Sequence, residues 1–481
     1  MANKKKVVTQ RTPKEIGGVL FFTDDIGLAT AMADGTVEQA IEAYQTLKHN
    51  DKDAVLAMPD MHHGYGLPVG GVYASFLDDK DGGIVSPGAV GFDIGCGVRF
   101  GVVDGISEVD LRKAQNELGG ALDRNVTAGL GQGRDTSLPH KDFVNMLLGG
   151  ARWAVQNGFG LPQDLEHLEE HGGIVLDLSV DEVERLISKR AFERAYTQVG
   201  TLGSGNHFAE LGFIKTVFDK ETAEAWGMSQ GQATVFIHTG SRAFGHQVAT
   251  DYVNKAASWF EETGKPAPRN KNLVWLPTNL DIGKDYLIAM NLAANFAFAN
   301  RQMIFHLVRK ALNEVLGVKP EDVRLVWGLH HNMAKVENHH NERYLVHRKG
   351  ATRAFGPSRA AKETPQFAQT GQPVLVPGSM GTMSYIMAAQ DSVGNEMSFA
   401  TSNHGSGRVM SRKKAEKNIR AEELEEQLTS QGILVRRHGE KDFVQEAPQA
   451  YKDSDWVSGL VEEFGIARRV VGHFPIVVLK G

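Results

Sequence analysis

Residues 86–99 read SPGAVGFDIGCGVR, a glycine-rich stretch that holds Asp93 and the only cysteine of the chain, Cys96. Glycine contributes no side chain to a core, and it permits positive φ angles and a close approach of the backbone. The chain has 53 glycines among 481 residues, where an average composition would give about 34. Four histidine segments share this glycine-turn setting or follow a β-type run: GSGNH (203–207), FIHTGS (236–241), LHHN (329–332) and SNHGSG (402–407). We therefore expect these turns to surround a site.

The side chains in these turns have the chemistry of metal ligands. Asp93 and Cys96 lie three residues apart, a spacing that lets both side chains reach one ion from a tight turn or strand end. Thiolate, carboxylate and imidazole together suit Zn²⁺, Mn²⁺ or Fe²⁺, where the thiolate favours Zn²⁺ and the carboxylate a harder ion. A lone cysteine or histidine is more often a buried core residue than a ligand. The combination of all these segments nevertheless predicts a metal centre.

Two pairs of adjacent histidines remain ambiguous from the residues themselves. In an extended segment, at most one of His330 and His331 can face a given site, and their chemistry does not choose between them. The pair His62–His63 follows Asp60, which either orients a ligand from behind or caps the turn. The histidines of one polar stretch are predicted to lie at the surface: His339, His340 and His347.

Composition and charge exclude several classes of protein. Hydrophobic residues make up 41% and charged residues 23%, which excludes a disordered or collagen-like chain. The net charge of −6 excludes a general polyanion-coating protein, so a nucleic-acid role would need a local basic groove. A single cysteine forms no intrachain disulfide and fits a reducing compartment. The N-terminus lacks an apolar signal core, and asparagines and an arginine interrupt the apolar stretch 286–316, so we expect a soluble, cytoplasmic protein without a membrane span.

Helix and strand patterns alternate irregularly, which predicts an α+β fold rather than a regular βαβ array. The length alone would give about three domains, but no linker rich in Pro or Ser and no fixed repeat occurs, so we predict one large catalytic domain over residues 1–481. A capping box is expected to open a helix at Thr36, and the longest helix is expected over 287–316. The predicted strands are 54–58, ended by Pro59, and 234–237, 323–327, 374–376 and 475–479.

Ten segments of the chain resemble the RtcB-type RNA-splicing ligases, a family of GTP- and Mn²⁺-dependent RNA 3′-phosphate ligases. They occur in the order of that family and extend over nearly the whole chain: PDMHHGYGLPVGG (59–71), SPGAVGFDIGCGVR (86–99), GTLGSGNHFAE (200–210), HTGSRAFGHQ (238–247), HHNMAKVE (330–337), HRKGATRAF (347–355), VPGSMGTMSY (376–385), NHGSGR (403–408), EAPQAYKD (446–453) and LKG (479–481). The resemblance implies an RtcB-like domain with mixed sheets and peripheral helices around a dinuclear metal site.

The resemblance also implies which residues bind two Mn²⁺ ions. Asp93, Cys96 and His207 match the ligands of one ion. His238 and His331 match those of the second, so the resemblance selects His331 over His330. Cys96 is expected to bridge both ions.

For the nucleotide, the resemblance identifies His404 as the nucleophile that becomes guanylated by GTP. Ser406 stands where many members have alanine, and it is small enough to fit. Glu210 can accept hydrogen bonds from the guanine edge and Lys480 can donate one, unless the C-terminus is frayed. The complete set of implied nucleotide contacts is Asn206, His207, Phe208, Ala209, Glu210, His331, Asn332, Pro377, Gly378, Ser379, Met380, Ser384, His404, Gly405, Ser406, Gly407, Tyr451 and Lys480.

The function that the resemblance implies is the joining of RNA 3′-phosphate or 2′,3′-cyclic phosphate ends to 5′-hydroxyl ends, in tRNA splicing or RNA repair. The implied partners are RNA and an archease-type activator. Guanidinium groups bind phosphate well, and four arginines are the candidates for this role: Arg194, Arg242, Arg408 and Arg412. From the ligands alone, a dinuclear metal phosphoesterase without nucleotide use fits equally well. A metal-stabilised RNA-binding protein without chemistry is the other alternative.

Overall fold

The computed structural model describes residues 10–78, 82–129, 131–133 and 138–481, and within them helices and strands are mixed as the sequence predicts. The strands are β1 (Lys14–Ile16), β2 (Val19–Phe21), β3 (Ala54–His62), β4 (Val69–Phe76), β5 (Ile84–Val85), β6 (Gly97–Ser107), β7 (Phe208–Val217), β8 (Gln232–Thr239), β9 (Leu276–Pro277), β10 (Val323–His330), β11 (Asn332–His339), β12 (Glu342–Lys349), β13 (Ala351–Arg353), β14 (Pro373–Val376), β15 (Ser384–Ala389), β16 (Thr401–Asn403), β17 (Leu434–Arg437) and β18 (Ala467–Lys480).

The α-helices surround these strands. They are α1 (Asp25–Ala33), α2 (Thr36–Leu47), α3 (Pro87–Val90), α4 (Glu108–Lys113), α5 (Gln115–Asn125), α6 (His140–Gly149), α7 (Ala151–Gln156), α8 (Val180–Leu186), α9 (Lys189–Ala195), α10 (Lys220–Ala225), α11 (Arg242–Glu262), α12 (Asp281–Leu316), α13 (Pro357–Glu363), α14 (Val393–Met397), α15 (Arg412–Asn418), α16 (Ala421–Ser430), α17 (Glu440–Gln445) and α18 (Ser454–Glu463). No helix in the described part of the chain combines the length and the apolar character that a membrane span requires.

Two mixed sheets form the centre of the fold. The smaller sheet has the order β1-β2-β3-β4-β12-β11, and the larger has the order β10-β6-β8-β7-β18-β15-β14, with β17 beside β18. Most pairs are antiparallel, whereas β2 with β3 and β17 with β18 are parallel. A separate two-stranded ladder, β13 with β16, carries the chain toward His404. The α+β prediction is therefore confirmed.

Alternation along the strands divides the core into layers. On β8, Val235 and Ile237 pack with apolar residues of α5 and α12, while Phe236 points to the opposite face and packs with Phe100 of β6. This period of two is the signature of a strand with both faces covered. The larger sheet is thus buried on both sides, and its strand ends are fixed in place.

The longest helix, α12, has 36 residues and spans about 54 Å. It begins six residues before the predicted start at Leu287. Three of the polar residues that interrupt its apolar pattern are buried, namely Asn295, Asn300 and Arg301. Asn300 Oδ1 accepts a hydrogen bond from the Gly200 N–H at 2.7 Å, so α12 holds a distant loop through a side chain.

Two local predictions were wrong. Helix α2 begins at Thr36, but its N-cap is Gly35 without a side-chain cap, and the Thr36 N–H donates instead to Asp34 Oδ1 at 3.0 Å. Strand β3 does not end at Pro59, because it continues to His62. Proline lacks an N–H and is tolerated where a ladder is interrupted, and here the pairing of β3 with β4 shifts after Ala57.

The surface placement of His339 and His347 was also wrong, whereas His340 is exposed as predicted. The polar stretch forms β11 and β12 inside the smaller sheet, so alternate side chains face the interior. His347 is fully buried, where its Nε2 accepts a hydrogen bond from the Ser86 N–H at 3.2 Å. Sheet position decides burial here, and the polarity of neighbouring residues does not reveal it.

Candidate active site

Five side chains that the sequence predicts as metal ligands meet in the structure. Cys96 Sγ lies 3.3 Å from His238 Nε2 and 3.5 Å from His207 Nε2. Asp93 Oδ2 lies 3.1 Å from His207 Nε2, and His331 Nε2 lies 3.2 Å from His238 Nε2. They form two triads, Asp93–Cys96–His207 and Cys96–His238–His331, and the ligand atoms of each triad lie within 4.8 Å of one another. Each triad could hold a metal ion, and Cys96 belongs to both.

The order of strands in the larger sheet explains this convergence. Strands β10, β6, β8 and β7 are direct neighbours, and the candidate ligands lie at one end of them. Asp93 and Cys96 precede β6, His207 precedes β7, His238 is near the end of β8, and His331 follows β10. Antiparallel pairing brings the start of one strand beside the end of the next, so residues far apart in the chain share one edge.

Glycine is required at two positions where these turns pack closely. Gly95 has a φ of +70°, and a Cβ there would lie 3.0 Å from Ala294 Cα. A Cβ on Gly240 would lie 2.4 Å from Asp93 Oδ1, so another residue would displace the carboxylate. The expectation that glycine turns surround a site is met at these positions.

Backbone carbonyls orient two of the imidazoles. His207 Nδ1 lies 3.0 Å from the Leu202 carbonyl oxygen, and His238 Nδ1 lies 3.1 Å from the Asn206 carbonyl oxygen. Because a carbonyl only accepts, each Nδ1 carries the proton, and each Nε2 presents a lone pair to Cys96. Metal-binding histidines are commonly oriented in this way.

The electrostatics of the cluster fit a cation. Burial lowers the pKa of both His238 and His331 well below the usual histidine value, which keeps the rings in the neutral form that binds metals. Burial also raises the pKa of Cys96, and the carboxylate of Asp93 adds to the rise. Acceptor atoms facing one another in a buried site are costly without a compensating positive charge. The donor chemistry thus fits divalent ions.

Arg301 of α12 supports these turns, and the sequence interpretation missed it. Its guanidinium donates to the carbonyl oxygens of Gly95 at 2.7 Å and Thr239 at 2.8 Å, one residue away from two candidate ligands. It also lies 3.0 Å from His330 Nδ1. The side chain of His330 therefore faces α12, where it packs on Phe298, and it is absent from both triads. The feature of the sequence that could have indicated this role is an arginine within an otherwise apolar helix.

His404 lies beside the second triad and is held by Asp60. Its backbone N–H donates to Asp60 Oδ2 at 3.1 Å, and its ring Nδ1 lies 2.6 Å from the same oxygen. The ring centroid is 4.8 Å from that of His331. Asp60 is fully buried, so it orients His404 and is not a simple turn cap. Of the ambiguous pair next to it, neither His62 nor His63 joins a triad.

One cavity of about 790 Å³ connects these groups, a volume in the range of small-molecule sites. Its lining includes ligands of both triads and most of the implied nucleotide contacts: Asn206, Phe208, Glu210, His331, Asn332, Pro377, Gly378, Ser379, Met380, His404, Gly405, Ser406, Gly407, Tyr451 and Lys480. The remaining three, His207, Ala209 and Ser384, are not in the lining. Ala209 points into the core, and Ser384 Oγ accepts a hydrogen bond from the Gly378 N–H at 2.9 Å.

The chain terminus is part of this cavity. Lys480 is the last residue of β18 and is buried, so the C-terminus is not frayed there. Burial lowers the pKa of Lys480, while the negative charges of Glu446 and Glu210 oppose that change. Glu446 was not among the predicted residues, although it opens the quoted segment EAPQAYKD.

The four candidate arginines divide into two groups. Arg408 and Arg412 line the cavity, and both form ion pairs with Glu446. Arg242 and Arg194 are not in the lining. Arg242 donates to Thr201 Oγ1 at 3.2 Å, and Arg194 is exposed on α9.

Comparison with known proteins identifies the family. The family model described as tRNA-splicing ligase RtcB matches residues 43–481. A tRNA-splicing ligase RtcB from Thermococcus kodakarensis is 42% identical over 466 residues, which cover 96% of this chain and 94% of the relative. One from Archaeoglobus fulgidus is 42% identical over 435 residues, covering 89% and 88%. An RNA-splicing ligase RtcB from Mycobacterium bovis is 40% identical over 434 residues, covering 89% and 97%. The chain belongs to the RtcB family of tRNA-splicing ligases.

Proposed function

We propose that this protein, acting as one domain, is an RNA ligase that uses GTP to join RNA 3′-phosphate or 2′,3′-cyclic phosphate ends to 5′-hydroxyl ends. The observation that carries the proposal is the contact of His404 Nδ1 with the buried Asp60 at 2.6 Å, because His404 lines the cavity that also contains ligands of both triads. A phosphoesterase that activates water could use an oriented histidine as a general acid, but it has no need of a histidine nucleophile. An RNA-binding protein without chemistry has no need of one either.

The two triads would hold two Mn²⁺ ions. Asp93, Cys96 and His207 would bind one, and Cys96, His238 and His331 would bind the other. When bound, such ions supply positive charge to phosphate oxygens and orient the reacting groups. Arg301 and the carbonyl groups behind His207 and His238 would keep the ligands in position.

The nucleophile would be the Nε2 lone pair of His404. It attacks the α-phosphorus of GTP, so that an N–P bond forms, the bond to the bridging oxygen breaks, and pyrophosphate leaves. Asp60 accepts the Nδ1 hydrogen bond, which fixes the required tautomer and stabilises the positive charge that develops on the ring. An aspartate carboxylate that accepts the Nδ1 hydrogen bond of a catalytic histidine has the same role in the Ser-His-Asp triads of hydrolases.

Two further displacements would complete the joining of the ends. An RNA 3′-phosphate oxygen attacks the phosphorus of the histidine–GMP, which restores neutral His404 and gives RNA-(3′)pp(5′)G. A 5′-hydroxyl then attacks the RNA phosphorus, and GMP leaves. A 2′,3′-cyclic end must first be opened by water.

Recognition of the nucleotide and the RNA would use the cavity lining. Glu210 and Lys480 would bind the guanine edge, and the turn 405–407 would offer backbone N–H groups to phosphate. Arg408, Arg412, Arg242 and Arg194 would bind RNA phosphates. The RNA would be tRNA halves or broken strands in the cytoplasm, with an archease-type activator as a second partner.

Covalent labelling tests the proposal. Incubation with α-³²P-GTP and Mn²⁺ should label the wild-type chain and not His404→Ala, and ATP should replace GTP poorly. A 3′-phosphate RNA should then be joined to a 5′-hydroxyl RNA. Absence of label with loss of the terminal phosphate would favour the phosphoesterase, and unchanged RNA ends would favour the RNA-binding protein.

A further inference from the structure

A short row of aromatic rings lies at the rim of the cavity. We call Tyr65, Phe92 and His246 the aromatic face. The ring centroids of Tyr65 and Phe92 are 6.3 Å apart, and those of Phe92 and His246 are 5.3 Å apart. Tyr65 and Phe92 line the same cavity as Asp93, and Phe92 directly precedes Asp93 in the chain. The aromatic face is therefore continuous with the candidate metal site.

The backbone that carries Tyr65 is held firmly although its ring is exposed. Tyr65 is 72% exposed. The side chain of Gln39 donates to the carbonyl oxygens of Gly64 and Gly66 at 2.5 and 2.8 Å and accepts from the Gly64 N–H. The buried ammonium of Lys349 donates to the Tyr65 carbonyl oxygen. Buried polar groups thus fix the turn 64–66, although the ring of its central residue faces solvent. Packing of the core does not require an aromatic residue at this position.

A positive charge accompanies these rings. Arg194 is exposed on the neighbouring helix α9 and donates to Gln247 Oε1 at 2.8 Å, next to His246 on α11. Burial lowers the pKa of His246, and the positive charge of Arg194 lowers it further. Aromatic rings beside a cation are the usual surface for single-stranded nucleic acid, since each base can stack and each phosphate can pair.

We propose that the aromatic face stacks the base of a terminal RNA nucleotide and that Arg194 binds the adjoining phosphate. The inference deepens the proposed function, because it rests on RNA being the substrate. The groups proposed for guanine, Glu210 and Lys480, belong to β7 and β18, whereas the aromatic face belongs to the 64–66 turn, the turn before β6 and helix α11. Stacking does not depend on base identity, so this face would accept ends of any sequence.

Binding of a short single-stranded RNA with a 3′-phosphate, measured by fluorescence anisotropy without GTP, tests the inference. Tyr65→Ala should weaken binding about tenfold, within the effect of losing one stacked base, while Tyr65→Trp should retain it. Phe218→Ala is the matched control, because Phe218 is also an exposed aromatic residue, at 44%, but lies outside the cavity lining. An RNA with an abasic 3′-terminal nucleotide should bind wild type and Tyr65→Ala alike if the 3′ end is the stacked one.

A second RNA, with an abasic nucleotide at its 5′-hydroxyl end, shows which end is stacked. If the weaker binding of Tyr65→Ala disappears only with this RNA, the aromatic face stacks the base of the 5′-hydroxyl strand. Equal binding of native RNA by wild type and Tyr65→Ala, or a loss that persists on both abasic RNAs, would overturn the inference. Loss of GTP labelling in Tyr65→Ala would do so too, since the ring would then serve the nucleotide. Joining of RNA by the wild type is measured separately. If RNA is joined but its binding does not depend on Tyr65, only the aromatic face is rejected. If binding depends on Tyr65 but RNA is not joined, only the ligase function is rejected.

Discussion

Replacing Asp60 by asparagine would show whether the buried carboxylate prepares His404 for attack on GTP. Asparagine has nearly the same shape, so the change removes a negative charge and leaves little cavity. Hydrogen bonds to a charged group contribute ~1.5–3 kcal/mol, against ~0.5–1.5 kcal/mol between neutral groups. As positive charge develops on the ring in the transition state, the contact of His404 Nδ1 with Asp60 Oδ2 at 2.6 Å should therefore lose ~1–1.5 kcal/mol of stabilisation, which corresponds to about tenfold slower guanylation. An amide that presents its NH₂ to Nδ1 would favour the wrong tautomer and slow the step further.

The assay is rapid-quench labelling with α-³²P-GTP at saturating GTP and Mn²⁺. Metal content should not change in Asp60→Asn, because Asp60 is in neither triad. Asp53→Asn is the matched control, since Asp53 is also buried and accepts a backbone hydrogen bond, from the Phe76 N–H at 2.8 Å, but its hydrogen-bond partners do not line the cavity. Labelling of Asp60→Asn at the wild-type rate, with metal retained, would refute the proposed role of the carboxylate.

Four other variants give sharp outcomes. Cys96→Ala removes the atom shared by both triads, so metal analysis should find at most one ion and ligation should be abolished; two ions and normal joining would reject the bridge. His404→Ala should bind metal and GTP and form no GMP adduct, yet it should still join RNA supplied as RNA-(3′)pp(5′)G. Lys480→Ala should slow labelling without loss of metal, and unchanged labelling would exclude Lys480 from the nucleotide site. Burial lowers the pKa of His347 from 6.5 to about 4. Because the unfolded chain binds this proton at a higher pH than the folded chain does, the free energy of unfolding should fall by about 3 kcal/mol between pH 6.5 and 4. Denaturant unfolding of His347→Gln should show a smaller fall over the same pH range.

The candidate ligands could be predicted from the sequence because each one occupies a turn at a strand end. The residues did not reveal which strands are neighbours. Strand β10 pairs with β6 although more than two hundred residues separate them, and this pairing brings His331 to Cys96. The choice between His330 and His331 depends on which face of the strand meets α12. Only the resemblance selected His331 before the fold was known.

Other errors have a common physical cause, namely that burial is decided by tertiary neighbours. His347 lies in a polar stretch, yet β12 has β4 on one side and β11 on the other, so its ring is enclosed. Pro59 was expected to end a strand, but a shift in the ladder accommodates it. In the sequence, Arg301 indicates only that the apolar stretch 286–316 is not a membrane span, whereas in the structure it donates to carbonyl groups next to two candidate metal ligands.

His404 and the candidate metal ligands are held by different sheets, and Asn332 links them. Asp60 is on β3 of the smaller sheet, while the triads lie at the strand ends of the larger one. Asn332 Nδ2 donates to the Asp93 carbonyl oxygen at 3.0 Å, and its Oδ1 accepts from the Gly350 N–H at 2.8 Å. A Cβ on Gly350 would lie 2.9 Å from His404 Cε1, so a side chain at this position would collide with His404. The position of His404 relative to the candidate metal site is thus fixed where the two sheets meet, and under the proposed function neither sheet alone would contain a complete site for transferring GMP.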